Sequence, residues 1–379
     1  MASPQLILVG TTKGAFTLRD GPGGWRVSGP HCDGWPINHV IGDAETGTLY
    51  AGGGGDWFGA GVFRSSDGGD SWTLAKLSSG QMDQWAASDP DFAAMIGWEP
   101  GEAPFGETLK SVWSLHAAHG AVHAGTDPGQ LVTSTDGGTS WARNEALASF
   151  PDRDTWNPGA AGLVLHSIAS APEDPGKLWL AISAAGVFAS EDGGASWVRR
   201  NRLSNVAPCN HSHHPAAPSK GETGHCVHNI ARGPGDLLYQ QNHHGVFRSP
   251  DGGRNWQDMT TGLPSTFGFP IGLDPEDAQT IWTVPLNGDM DGRFPPDASA
   301  AVWRSTDGGE TWQAQRTGLP QTACFFTVLR QGMATAPGHV AFGTNTGSVF
   351  LSRNRGETWD EVARHLPAIL SVEMTGTRA

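Results

Sequence analysis

An all-β fold built from repeated four-stranded sheets is predicted by three features of this 379-residue chain. A turn motif recurs along its whole length, short apolar strand signals precede the copies, and the composition favours tight turns. The 53 glycines and 26 prolines suit many short strands, and 16 tryptophans stand against 2 tyrosines.

The motif is Ser-x-Asp-Gly-Gly-x-x-Trp. It reads SSDGGDSW at 65–72, STDGGTSW at 134–141, SEDGGASW at 190–197, SPDGGRNW at 249–256 and STDGGETW at 305–312. A sixth copy, SRNRGETW at 352–359, carries Asn354 in place of the aspartate, and a degenerate copy, LRDGPGGW at 18–25, keeps Asp20 and Trp25. Successive copies start 47 to 69 residues apart, near the period of about 40–50 residues expected for a propeller blade with loop insertions. Ser and Asp side chains bond neighbouring amides, glycines supply the positive φ of a hairpin, and the indole packs back over the turn. Each box thus closes the hairpin between the third and outermost strands, and its aspartate is structural.

The strands before each box follow in order. The second repeat offers residues 38–41, 48–52 and 61–64, the fourth 165–168, 178–181 and 186–189, and the fifth 227–230, 237–239 and 245–248. The first box has only two strands before it, 6–9 and 15–17, whereas the tail has one to spare at 368–372. The sequence therefore reads as one domain over 1–379, a single seven-bladed β-propeller with Asp-box hairpins, its ring closed by the C-terminal strand in blade one.

A formal charge of −14 argues against a nucleic-acid surface, which needs a basic stripe. No apolar run approaches membrane-spanning length, and residues 1–10 lack the basic and apolar regions of a secretory signal. The expected compartment is the cytoplasm, where the four cysteines normally stay reduced; a Cys209–Cys226 disulfide is open to the sequence but unsupported by that compartment. Oligomeric state is not legible.

The Asp boxes resemble the bacterial neuraminidase repeat of sialidases, sortilin-type domains, xyloglucanases and photosystem assembly factors. The segments 9–16, 38–40, 165–168 and 241–249 also resemble a family of bacterial repeat proteins labelled sialidase-like or glycosyl-hydrolase-like. The repeat is scaffold rather than chemistry. A sialidase needs a Tyr/Glu nucleophile pair and three arginines. Here Tyr50 and Tyr239 share a second-strand position, and Arg64, Arg248 and Arg304 share a pre-box position, so all five read as repeat structure.

Histidines are the anomaly, at 15 in the chain. Alignment by the boxes places His39, His166 and His228 at one inner-strand site, with Trp113, Phe269 and Phe326 at that site in other blades. Three imidazoles converging at the channel mouth would form a metal site with an open position. The tract 209–214, with His214, and the pair His243 and His244 add further donors. The resemblance implies a His-Pro with a nearby glutamate; His214-Pro215 and Glu222 match, although the intervening 216–221 is longer than the family pattern. Zn²⁺ suits such imidazoles, with Cu or Fe as alternatives. Glu222, then Asp33, are the general-base candidates, and Trp113, Trp35 and Trp156 the expected apolar wall for a small organic or peptide substrate. The predicted activity is a metal-dependent hydrolase or lyase. The alternatives are a non-catalytic binding or assembly module, and a glycosidase, for which no carboxylate pair can be placed. Residues 81–106 read as a loop in which Trp85 and Trp98 pack down.

Overall fold

The computed structural model describes residues 6–99, 101–156, 158–200 and 226–375, and is all-β with a propeller-like arrangement of sheets. Five sheets have four antiparallel strands; a sixth has eight, in which two four-stranded halves join only at Gly54 and Ser111. These four-stranded units are numbered here in chain order of their boxes. The inner strands are Ile369–Thr375 for unit one, Ile37–Gly42 for two, Ser111–Ala118 for three, Val164–Ala171 for four, Val227–Arg232 for five, Gly268–Leu273 for six and Met333–Ala336 for seven. The inner strand of unit one comes from the C-terminal end and pairs antiparallel with Leu6–Thr11.

Each box folds as its residue types dictate. In unit two, Asp67 Oδ1 accepts from the amides of Asp70 and Ser71 and from the Ser65 hydroxyl, while Oδ2 accepts from the Ser71 hydroxyl. Ser65 Oγ accepts from the Gly69 amide at 2.8 Å, and the Trp72 indole donates to the Gly69 carbonyl at 3.1 Å. Gly68 and Gly69 take φ of 77° and 97°, which a side chain would strain. With the Ser71 hydroxyl as the largest contribution, these donors hold the Asp67 carboxyl far below the usual range, so it is fixed as an anion and has no proton to give.

Arginines before or within the boxes clasp neighbouring units. Arg19, Arg64 and Arg304 each donate to the carbonyl of the fourth box residue of the next unit, namely Gly68, Gly137 and Arg355. Tyr50 donates to Gly137 as well, and Trp179 and Trp282 reach the equivalent carbonyls of Gly252 and Arg355. Apolar side chains fill the space between sheets. Ile41, Tyr50 and Val62 meet Val112, Leu115 and Val122 between units two and three, and Ile7, Val9 and Leu18 meet Ala341, Val349 and Leu351 between units one and seven. Burial of these faces, at roughly 25 cal/mol per Å², is the main cohesion between sheets.

Residues 81–106 depart from the expected loop. They contain α1 (Gln81–Ser88) and α2 (Pro90–Ile96), the second capped by Asp89, whose carboxylate accepts from the Phe92 amide. Trp98 does pack down, donating to Asp83, but Trp85 stays half exposed. Among the described residues, no helix is long and apolar enough to cross a membrane.

Candidate metal centre and axial cavity

The inner strands share a local irregularity that positions the site. Their pairing with the second strand slips at Asn38, Trp113, His166 and His228 in units two to five, and at Phe269 and Pro270 in unit six. Unit one slips opposite Leu370. Such bulges leave one residue outside the ladder and re-aim its side chain. Asn38, Trp113, His166 and Leu370 accordingly line one cavity of about 120 Å³, completed by Leu329, Arg330 and Gln331 from the segment that leads into unit seven.

This register corrects the alignment of His39 with His166 and His228. The equivalent residue of unit two is Asn38; His39 lies one position on, and a one-residue step turns a side chain to the opposite face. His39 Nδ1 accepts the Leu115 amide at 2.8 Å, and burial lowers its pKa to about 3. Its acceptor is therefore used inside the contact between units two and three. Phe326 is likewise not at the shared position, since it lies in the core between units six and seven.

His228 joins a different set. Cys226 Sγ, His228 and His243 present donor atoms all within 4.8 Å of one another. Cys226 and His228 are two apart on one extended segment, and His243 comes from the turn between the second strand, Leu238–Asn242, and the third, Gly245–Ser249. The His228 and His243 rings lie 4.7 Å apart, edge to face, against Phe267 and Phe269. His228 Nδ1 donates to the Gly268 carbonyl at 2.5 Å, which fixes the tautomer and leaves Nε2 with the lone pair. That Nε2 is buried and has no hydrogen-bond partner. Burial, and secondly the charge of Arg330, lower the His228 pKa well below 6.5, so the ring is neutral at pH 7. Cys226 is a free, buried thiol 2.7 Å from the Ser183 hydroxyl, its pKa raised by burial. Asp289 Oδ2 lies 3.7 Å from His243 Nδ1.

The donor set fits a transition metal. Tetrahedral coordination puts N and S ligands about 3.4–3.8 Å apart, so the three donors need only a modest contraction. Imidazole whose other nitrogen donates to a carbonyl is the usual ligating arrangement, and a nearby carboxylate orients its partner.

The other predicted residues are dispersed. Trp113 stands edge to face with His166 at 5.6 Å and is at the axis. Trp35 is instead buried between Phe58 and Phe63, and with Asp33 it lines a separate groove of about 420 Å³ beside Lys76 and Trp98. Trp156 packs on Phe188 and Phe150 in the core between units three and four. Neither tryptophan lines the axial cavity, and Asp33 is not with the histidines. His214 and Glu222 lie outside the described residues. Sequence reasoning missed Cys226 and Arg330: the Cys-x-His spacing was a usable signal for the first, and the second sits outside the repeat.

Comparison with known proteins places the fold. The family model described as BNR/Asp-box repeat matches residues 303–314. No curated protein matches. Among solved structures, the GH74 xyloglucanase from Xanthomonas campestris is similar at TM-score 0.62 and 16% identity, over 96% of this chain and 53% of that one. This chain thus spans about half the length of that enzyme. YCF48 bound to D1 peptide is similar at TM-score 0.54 and 14% identity, over 95% and 86% of the two chains. AztD from Citrobacter koseri is similar at TM-score 0.53 and 11% identity, over 99% of each. At such identities the likeness is one of fold. The chain carries the BNR/Asp-box repeat on an all-β, propeller-like fold.

Proposed function

We propose that this chain is a metal-dependent enzyme of hydrolase or lyase type, its ion held by Cys226, His228 and His243 with a fourth position open to a small organic or peptide substrate. The observation that carries this reading is His228: one ring nitrogen is locked on the Gly268 carbonyl and the other is buried without a partner beside a thiol and a second imidazole. A buried acceptor left unpaired costs about 1–3 kcal/mol, which an ion would offset. A Cys/His set favours Zn²⁺ over the harder cations, with Cu or Fe as alternatives. When bound, Zn²⁺ would supply Lewis-acid polarisation of a carbonyl oxygen. Asp289 would orient His243, and Phe267 and Phe269 would keep bulk water from the site.

The same proposal takes the units as one domain, a seven-bladed ring closed in unit one. Support comes from the pairing of Ile369–Thr375 with Leu6–Thr11 and from the core shared by units one and seven.

Elemental analysis of protein purified without chelator tests the metal. About one equivalent per chain is expected, lost in Cys226→Ser and His228→Gln. Wild-type protein that never takes up stoichiometric metal, even when it is supplied, overturns the reading. A second reading, a docking module, is favoured by the exposed Trp57, Trp85, Met95 and Ile96 around α1 and α2. It predicts that His228→Gln leaves partner capture unchanged.

A further inference from the structure

The cavity on the axis is lined by a cation that, among the described residues, has no carboxylate paired with it. Arg330 is half-buried, and among the described residues its guanidinium makes no hydrogen bond and no ion pair; its Nε is buried and unpartnered. Its guanidinium lies 4.7 Å from the Phe269 ring, and its charge is felt at Cys226, His228 and His166. Burial lowers its pKa to about 10, which leaves it cationic at pH 7. Beside it, His166 is 1% exposed, and neither of its ring nitrogens has a partner. The remaining polar side chains are engaged: the Asn38 amide donates to the Val112 carbonyl at 2.8 Å, and the Gln331 amide to the His166 carbonyl at 2.6 Å. The other walls are apolar, formed by Trp113, Leu329 and Leu370.

Arg330 is also held in place from both sides. Its carbonyl accepts from Asn229 at 2.7 Å, and Gln331 bridges to Ser371. The cationic head is therefore presented at the axis by a fixed backbone rather than by a mobile loop. Partly burying a cation without a carboxylate partner is costly, and among the described residues no carboxylate lines this cavity.

We infer that the axial cavity is a binding site for a small monocarboxylic acid, its carboxylate taken by the Arg330 guanidinium with an N–H of His166, and its short aliphatic tail set against Trp113, Leu329 and Leu370. The planar fork of arginine matches a carboxylate in a bidentate contact. The imidazole adds one donor, and its second nitrogen remains an acceptor for a hydroxyl or water. A cavity of about 120 Å³ equals the liquid share of roughly four waters, which limits the guest to an acid of about three or four carbons. None of the three proposed metal ligands lines this cavity, although the charge of Arg330 reaches Cys226 and His228, so the chelation arm below separates the two readings.

Calorimetric titration of the full chain with propanoate, and with propanamide as its neutral isostere, tests the site. Saturable binding of one propanoate is expected, at least about tenfold tighter than propanamide, because a charged pair is worth about 1.5–3 kcal/mol. The affinity is expected to fall at least about tenfold in Arg330→Met, to fall less in His166→Phe, and to persist after chelation. Should Arg330→Met fail to fold, the wild-type melting temperature serves instead, rising with propanoate and not with propanamide. Equal binding of acid and amide, wild-type affinity in Arg330→Met, absence of saturation with no thermal shift, or loss of binding on chelation would each overturn the site; the last would make the acid a ligand of the metal instead.

Discussion

The rim of the molecule and its axis spend polar groups in opposite ways. At the rim, Asp67 and Asp136 each accept several hydrogen bonds from serine hydroxyls and backbone amides. At the axis, the ring nitrogens of His166, the Nε2 of His228 and the Nε of Arg330 are buried with no hydrogen-bond partner among the described residues. The same kind of atom is therefore scaffold in one place and an open valence in the other. A carboxylate in a conspicuous motif is less informative about chemistry than an unpaired nitrogen in an inconspicuous one.

Variants can break that contrast. The largest effect is expected from Trp256→Ala at the rim: this indole is 2% exposed and donates to the Arg200 carbonyl, so its loss should cost about 3–5 kcal/mol in urea unfolding. Acid comes next. His39, His116 and His123 have pKa values lowered to about 3, 4 and 4, chiefly by burial. They favour folding fully above the unfolded value near 6.5, and that stability drains away as pH falls through 4, so the melting temperature should drop steeply from pH 6.5 to 4. Glu373 has the opposite sign. Burial raises its carboxyl to about 8, so its contribution is present below the unfolded value near 4.5 and is lost as pH rises through 8. Glu373→Gln should raise the melting temperature at pH 9 and leave it unchanged at pH 4.

Smaller shifts separate rim from axis more sharply. Ser134 is buried, accepts from Gly138 and donates to Asp136, so Ser134→Ala should cost about 1–2 kcal/mol by denaturant titration. Arg330→Met should do the reverse, leaving stability unchanged or raising it by about 1 kcal/mol. A destabilisation as large as that of Ser134→Ala would show that the guanidinium is paired after all.

The box pattern made the architecture legible because each box is complete within eight residues, as in 134–141. Everything its side chains need, from Ser134 to Trp141, is local. The candidate site is legible only in part. His228 and Cys226 sit together in the chain, and His243 follows one hairpin later. His39 misleads because a bulge at Asn38 changes which neighbour faces the axis, and no residue type announces that slip. Arg330 was silent for another reason: it belongs to a connecting segment whose position is set by Asn229 and Ser371, far away in sequence.

That connecting segment has a consequence for biosynthesis. Residues 329–331 bond to units four and five, and Gln331 accepts the Val372 amide from the strand that completes unit one. On the ribosome, the hub therefore stays unfinished until the strand Ile369–Thr375 has emerged. A nascent chain can assemble its outer turns early, but the cavity is complete only once residue 372 has emerged, so propanoate capture is expected only from chains extended past that residue.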